Sequence, residues 1–125
     1  MNVSLKVICS RYGISRRAIQ GYEKEGLVKP SSKSKRGYLL YDEETIGKIV
    51  FINMCQEIGF KVKEIAEFID GPNEIIKLKL NEKISQYEQE LMLSQLKVDE
   101  LKRILNSTDC KNYKEVTNKK LKEDK

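Results

Sequence analysis

The segment SRRAIQGYEKEGL, residues 15–27, brings together side chains that bind phosphates and nucleic-acid bases. Arg16 and Arg17 carry planar guanidinium groups, which can make paired hydrogen bonds to a phosphate or to the edge of guanine. Gln20 follows one helical turn later, and its amide can make a similar pair of hydrogen bonds to adenine. The segment therefore carries the side chains needed to bind a nucleic acid.

A helix would bring these polar side chains onto one face. Ser15 can cap its start by accepting a hydrogen bond from a backbone N–H, and Gly26 can end it. Ala18, Ile19 and Tyr22 would then form the inward face and leave the arginines and the glutamine outside.

A shorter helix is predicted just before this one, between Ser4 as the N-cap and Gly13 at the C-terminal end. Its apolar residues have the spacing of one helix face: Leu5, Ile8, Cys9 and Tyr12. Two short helices joined by a tight turn that contains glycine make a helix-turn-helix.

A small β-hairpin with a basic tip is predicted next. The runs LVKP and GYLLY favour strands, and they flank the polar loop SSKSKR. The loop carries Lys33, Lys35 and Arg36, and Tyr38 lies just beyond it. We expect this hairpin to form a wing beside the helix-turn-helix.

Gly21 is unexpected within the second helix, because glycine costs about 1 kcal/mol relative to alanine at an exposed helical position. One explanation is that the missing side chain lets DNA, or the wing, approach the helix closely. The other is that Gly21 only weakens the helix end and that Arg16 and Arg17 are simply solvated. The sequence leaves both explanations open.

Two more helices are predicted before Gly71 and Pro72 break the chain. The first runs from Asp42, a good N-cap, to Ile58, and Gly59 ends it. Its expected inward residues are Ile46, Ile49, Val50 and Met54. Those of the second helix are Val62, Ile65, Ala66 and Ile69.

A single long helix is predicted from about Glu74 to Leu105, with Asn73 as its cap, because this stretch contains no glycine or proline. Apolar residues repeat along it in a heptad pattern that Ser94 interrupts. At about 1.5 Å per residue the helix is about 50 Å long, so its apolar stripe needs a partner, and a second copy of the chain is the simplest one. We call this stripe the seam: Leu80, Ile84, Tyr87, Leu91, Val98, Leu101 and Leu105.

Positive charge is concentrated at one end of the sequence. The net charge is +5, but residues 1–41 hold nine Lys or Arg against two Glu, whereas residues 42–125 hold 15 basic against 17 acidic side chains. A basic end joined to a nearly neutral remainder is expected of a protein that binds a polyanion through that end. Ordinary solubilising lysines would give the same count.

Most enzyme and metal chemistry lacks its residues here. Histidine is absent, and the three cysteines, Cys9, Cys55 and Cys110, are widely spaced. We expect Cys9 and Cys55 to be small core residues and Cys110 to be incidental or, as the alternative, a redox thiol. Glu43 and Glu44 are adjacent carboxylates, but at a predicted helix start the helix dipole explains them. We therefore expect no enzyme, no metal and no cofactor.

No membrane span or signal peptide is predicted, since the longest uncharged apolar-rich run, Ile49–Gln56, has only eight residues. We expect a cytoplasmic protein. Its length suits one compact unit with an extension. The expected parts are a winged helix-turn-helix over residues 1–71, a dimerisation helix over residues 73–106, and a polar tail over residues 107–125 that is disordered or weakly helical.

Three segments resemble the MerR-type transcriptional regulators: SLKVICSRYGISRRAIQGYEKEGLV, RGYLLYDEETIGKI and EIGFKVKEIAEFID. They stand in the order typical of that family, and the resemblance covers residues 3–70. It implies an all-α fold with a small β-hairpin wing, a winged helix-turn-helix followed by a long dimerisation helix that pairs as an antiparallel coiled coil. It further implies a homodimer that binds an inverted-repeat operator in double-stranded DNA and distorts the promoter for RNA polymerase.

The candidate DNA-binding residues lie in the helix-turn-helix, the wing and the start of the fourth helix. They are Ser15, Arg16, Arg17, Gln20, Tyr22, Lys33, Lys35, Arg36, Tyr38 and Lys61. Two habitual phosphate contacts of the family are replaced, because Gln20-Gly21 stands where Arg-Tyr is usual and Leu39 stands where an arginine is usual in the wing. We expect neighbouring basic residues to take over these contacts and the preferred operator to differ.

The family's metal sensors have cysteines at the start of the dimer helix and in the loop after it, whereas this chain has Glu74 and only Cys110 there. The resemblance therefore implies no metal-thiolate site. An unknown small effector would have to bind near residues 95–125 or between two copies. A rival from another class, a coiled-coil adaptor whose basic end binds acidic protein or RNA, stays open from the sequence.

Overall fold

The computed structural model describes residues 2–107 and residue 117. The rest of the predicted polar tail, including Cys110, lies outside the described residues. Within the described part the chain forms five helices and three short strands. Its contacts divide it into two units, residues 1–76 and residues 77–125. The predicted class, mostly α with a small β wing, is confirmed.

The first unit begins with the predicted helix-turn-helix. Helix α1 spans Leu5–Tyr12, and Gly13 ends it with a left-handed φ of 67°. Helix α2 spans Arg16–Lys24. Ile8 and Ile19 are fully buried, so each helix contributes to the core, but Tyr12, which was predicted on the apolar face of α1, is 42% exposed.

A three-stranded antiparallel sheet forms the wing. Strand β1 spans Val3–Ser4, β2 spans Ser32–Lys33 and β3 spans Leu39–Tyr41, with β3 in the middle. The predicted hairpin is thus present as β2 and β3. The sequence did not reveal β1, because a strand of two residues has no periodicity of its own.

The prediction of a strand in LVKP is wrong. Leu27 and Val28 are buried, but they lie in the connection before β2. The backbone N–H of Leu27 donates to the carbonyl of Tyr22 at 3.0 Å, which closes the C-terminal turn of α2 beside Gly26 at a φ of 77°. That backbone group is therefore not available to a strand.

Helix α3 spans Glu43–Glu57 and buries a different face from the predicted one. Ile46 and Ile49 are buried as expected, but Ile52 and Cys55 complete the core and Met54 is 56% exposed. Because each step of three residues turns 300° around a helix, these four residues cover about half of its circumference. Met54 lies off one edge of that arc, so its predicted core position is wrong.

Helix α4 spans Val62–Phe68 and buries Ile65 and Phe68. The Phe68 ring meets the Phe60 ring edge to face, with 5.3 Å between the ring centroids. Ala66, predicted to face inward, is exposed, and Val62 is half-buried. The inward prediction for Ala66 is therefore wrong, and Phe68 lies on the buried face of α4 instead.

Helix α5 spans Asn73–Ser107 and is the single long helix that the sequence predicts. It begins at Asn73 itself, which was expected to be the cap before it. None of the helices in the described residues has the length and apolar character needed to cross a membrane.

Candidate nucleic-acid interface

The outer face of α2 carries the polar side chains that its sequence predicts. Arg16, Arg17 and Gln20 are exposed, while Ile19 is fully buried on the opposite side. Ser15 fixes the start of the helix, because its Oγ accepts a hydrogen bond from the Ala18 backbone N–H at 3.0 Å. The N-terminal half of this capped helix therefore presents three exposed side chains that can form hydrogen bonds.

Tyr22 does not belong to this exposed face, which corrects its assignment as a DNA-binding residue. Only 1% of its surface is exposed. Its hydroxyl donates to Gln56 Oε1 at 2.5 Å and accepts from Asn53 Nδ2 at 3.4 Å, so both of its polar partners lie on α3. The phenol thus fixes α2 on α3 and has no free group to offer a ligand.

A second buried tyrosine joins α2 to the wing. Tyr41, at the end of β3, is fully buried, and its hydroxyl donates to the carboxylate of Glu23 on α2. Burial and this hydrogen bond raise the pKa of Tyr41 well above its usual value, so the hydroxyl keeps its proton. Nothing in the spacing of Glu23 and Tyr41 along the sequence indicates this contact, so the pair could not be predicted.

The tip of the wing is a tight turn with exposed cations. The Ser34 N–H donates to the Tyr38 carbonyl at 2.8 Å, and the Tyr38 N–H donates to Ser34 Oγ at 3.0 Å. Gly37 takes a φ of 87°, a conformation that favours glycine. The side chains exposed on this turn are those of Lys33, Lys35, Arg36 and Tyr38.

The cations of α2 and the wing are not neutralised by neighbouring carboxylates. The ion pairs within the described part of the chain join other residues, such as Lys48 on α3 with Asp70 at 2.9 Å. The cations of α2 and the wing that form no ion pair within the described part are Arg16, Arg17, Lys24, Lys33, Lys35 and Arg36. Their positive charge is therefore available to an anionic ligand.

Gly21 lies within α2, and the space beside it is open. A Cβ added at this position would meet no other atom of the described chain within 4 Å. The explanation that the wing packs closely against Gly21 is therefore wrong. Two explanations remain, close approach by DNA and simple tolerance of a weak helix position.

Lys61, the remaining predicted contact, stands just before α4. Its side chain is exposed, and its backbone N–H donates to Glu64 Oε1 at 2.9 Å. The hydrogen bond satisfies one of the free backbone donors at the start of the helix. Lys61 is thus held at a helix start with its ammonium group in solvent.

Cys55 and Cys9 differ in burial. Cys55 is buried on α3, and burial raises the pKa of its thiol. Cys9 is half-buried on α1. The core assignment therefore holds for Cys55 and only in part for Cys9.

The second unit exposes apolar side chains along α5. Leu91 is 70% exposed and Leu101 is 65% exposed, and most other seam residues are also exposed. Leu80 is half-buried. Leu93 and Leu96 lie outside the seam and are exposed as well, so the apolar surface is wider than the heptad pattern predicts.

The helix-turn-helix unit matches a known protein family. Residues 3–71 match the family described as "MerR HTH family regulatory protein". The "HTH-type transcriptional regulator CueR" of Salmonella typhi is 26% identical over 107 residues, which cover 81% of this chain and 76% of that protein. The "HTH-type transcriptional activator mta" of Bacillus subtilis is 33% identical over 73 residues, which cover 58% of this chain and 28% of that protein.

Solved structures share the fold. The N-terminal part of the Bacillus subtilis multidrug transporter activator, MtaN, superposes with a TM-score of 0.72 at 27% identity, over 84% of this chain and 99% of that one. HiNmlR, a MerR family regulator lacking the sensor domain and bound to promoter DNA, gives a TM-score of 0.51 at 21% identity, over 87% and 82% of the two chains. At that identity the second likeness concerns the fold alone.

Proposed function

Because residues 3–71 match its family model, this chain belongs to the MerR family of helix-turn-helix regulatory proteins, and we propose that it is a transcriptional regulator that binds promoter DNA in a sequence-specific manner. In this proposal the outer face of α2 enters the major groove, and the wing contacts the DNA backbone.

One observation carries the proposal. Arg16, Arg17 and Gln20 are exposed in the N-terminal half of α2, which is the part of a second helix that reaches base edges in helix-turn-helix proteins. Arginine suits guanine and glutamine suits adenine, so these side chains can distinguish base pairs. The unpaired cations of the wing supply contacts to phosphates, which position the protein without reading sequence.

We further propose that the active form is a homodimer joined through α5. Its 35 residues make a helix about 52 Å long at about 1.5 Å per residue, and the seam exposes large apolar side chains along it. A stripe of this kind marks a surface that another chain covers. The resemblance to the family implies an antiparallel pairing, which would relate two α2 helices by a two-fold axis.

A two-fold symmetric dimer binds an inverted repeat, because each copy takes one half-site. We propose that binding distorts promoter DNA in the cytoplasm so that RNA polymerase can start transcription, as the resemblance implies. The proposal assigns no enzymatic reaction and no cofactor to the chain.

Selection of duplexes from a random pool tests the proposed function. The purified protein is mixed with random double-stranded DNA, and the bound fraction is amplified and sequenced over several rounds. We expect an inverted repeat to be enriched. The variant Arg16→Ala/Arg17→Ala/Gln20→Ala should enrich nothing, whereas Lys97→Ala/Lys102→Ala, a control on α5, should enrich the wild-type sequence.

Two outcomes would contradict the proposal. If the wild-type protein enriches no sequence, it does not read DNA specifically. If it instead binds single-stranded RNA or acidic peptides more tightly than any duplex, it is an adaptor with a basic end.

A further inference from the structure

A cleft of about 450 Å³ lies between the start of α1, the start of α2 and the wing. Arg16 and Tyr38 line it, and both already belong to the proposed interface. Ser4 and Lys6 line it as well, and no contact has been assigned to them so far. The cleft therefore extends the proposed interface to α1.

The charged side chains that line the cleft are both cationic. Lys6 and Arg16 contribute two positive charges, and none of the residues around the cleft carries a carboxylate. Lys6 is exposed, and its ammonium group forms neither a hydrogen bond nor an ion pair with any residue in the described part of the chain. An anion in the cleft would thus meet two cations that have no competing partner.

The two hydroxyl groups of the cleft can donate hydrogen bonds as well. Ser4 precedes α1, and its side chain makes no cap hydrogen bond to the first turn of that helix. Its hydroxyl is free to donate, and the first backbone N–H groups of a helix have no partner within the helix. Tyr38, which is 62% exposed, adds a phenolic hydroxyl. Two cations and several donors without a carboxylate suit a ligand with more than one anionic or accepting oxygen, as a phosphodiester has.

We propose that a phosphodiester group of the DNA backbone binds in this cleft, with Lys6 as its principal contact on α1. The inference rests on the proposed function, because the ligand is the same DNA duplex. The proposal adds a contact from α1, which lies across the cleft from the wing. One strand of the DNA backbone would then pass between α1 and the wing. Lys6 contacts phosphate in this arrangement, so it sets affinity for every duplex and carries no sequence preference.

The test measures how the dissociation constant depends on salt. Wild type and Lys6→Ala are titrated with the duplex selected above and with one unrelated duplex, between 50 and 200 mM salt. Losing one phosphate contact lowers the slope of log K against log salt by about 0.9 for each protomer bound. Raising the salt fourfold should therefore lower the DNA affinity of Lys6→Ala by a factor about 3.5-fold smaller, per protomer, than it lowers the affinity of wild type. The difference should be the same on both duplexes.

Three controls accompany it. Lys77→Ala removes the same charge from α5, outside the cleft, and should keep the wild-type slope. Lys6→Arg keeps a cation at this position and should show the wild-type salt slope. Thermal unfolding of each variant shows whether the fold is intact, and Lys6→Gln replaces Lys6→Ala if that variant does not fold.

A duplex series locates the phosphate. One phosphate at a time is replaced by an uncharged methylphosphonate, and each duplex is titrated with wild type and Lys6→Ala. At the phosphate that binds in the cleft, the losses of binding free energy from the methylphosphonate and from Lys6→Ala should not add, because either change alone removes the same contact. Additive losses at every position would overturn the proposal.

The outcomes separate this inference from the proposed function. If wild type prefers its selected duplex but Lys6→Ala keeps the wild-type salt slope, the cleft binds no phosphate and the proposed function stands. If wild type binds no duplex, both fail. If inorganic phosphate, at constant ionic strength, binds wild type but not Lys6→Ala, and a saturating duplex does not displace it, the cleft is a site for the free anion and the assignment to DNA is wrong.

Discussion

Arg17 and Lys35 are both exposed cations, but we assign them different tasks. Arg17 lies on the first turn of α2, where it can meet base edges, and Lys35 lies at the tip of the wing. Arg17→Ala should change the preferred base at one operator position, by about 1–3 kcal/mol, whereas Lys35→Ala should weaken all duplexes alike and lower the salt slope by about one. Titrating both variants against single-base changes of the selected duplex separates these effects. Equal losses on every duplex for both variants would contradict base recognition by Arg17.

Gly21 allows a test in which folding and binding are expected to change in opposite directions. Because the space beside it is open and its backbone is helical, Gly21→Ala should stabilise the free protein by up to about 1 kcal/mol, as measured by urea unfolding. If DNA approaches this position closely, the affinity for the selected duplex should fall in the same variant. A gain in stability with unchanged affinity would leave Gly21 as a tolerated weak position.

Among the secondary-structure elements, α2 and the wing are held together by the hydrogen bond from Tyr41 to Glu23. Tyr41→Phe should lower the free energy of unfolding by about 1–3 kcal/mol, because it leaves a half-buried carboxylate without its donor. A double-mutant cycle with Glu23→Ala, which removes the accepting group, measures the coupling between the two side chains. Tyr38→Phe, an exposed tyrosine of the same wing, should not change stability. A cycle with no coupling energy would contradict the link.

The start of α3 should make stability depend on pH. Asp42 accepts a hydrogen bond from the Thr45 backbone N–H at 2.8 Å, and this bond lowers the pKa of Asp42. A carboxylate whose pKa is lower in the folded state stabilises the fold above its unfolded pKa of about 3.9, and it loses this effect as the pH falls through the folded pKa. Asp42→Ala should therefore lower the urea midpoint of unfolding at pH 7. Below pH 4 the midpoints of Asp42→Ala and wild type should lie closer together. Asp42→Asn, which keeps a capping oxygen, serves as the control. A difference between Asp42→Ala and wild type that stays constant with pH would contradict the assignment.

The local signals of the sequence predicted the helices well. Caps such as Ser15 and Asp42 and the left-handed Gly13 mark element ends through interactions between near neighbours, so they can be identified without the fold. The inward face of α3, by contrast, depends on the elements that surround the helix. Since α3 contacts the core over half of its circumference, its buried residues do not form one narrow apolar stripe, and the prediction for Met54 was wrong.

Only part of the candidate site could be predicted from the sequence, because some of its residues come together only through contacts between elements. Arg16, Arg17 and Gln20 are exposed because their positions follow from helix periodicity within one element. The cleft around Lys6 joins the wing to the two helices before it, and the contact of Tyr22 with Gln56 joins α2 to α3 across 34 residues. Such contacts exist only after tertiary folding, and no spacing in the sequence encodes them.

For the whole molecule, the proposed dimer depends on the seam of α5. Burying a leucine-sized side chain contributes about 1.5–3 kcal/mol, so Leu91→Glu/Val98→Glu should dissociate the dimer in sedimentation experiments at micromolar concentration. Leu93→Glu is the matched control, because Leu93 is also exposed, at 54%, but lies outside the seam. If Leu93→Glu dissociates the dimer and the seam variant does not, the pairing surface is assigned to the wrong face of α5.

The central claim is that two copies of this chain bind one inverted repeat. The most direct test is sedimentation of the protein with the selected duplex and with a duplex that carries a single half-site, which measures the mass of each complex. We predict two protomers on the full duplex, and binding to the half-site duplex at least tenfold weaker because half of the contacts to α2 and the wing are lost. One protomer on the full duplex, or equal affinity for both duplexes, would contradict the claim.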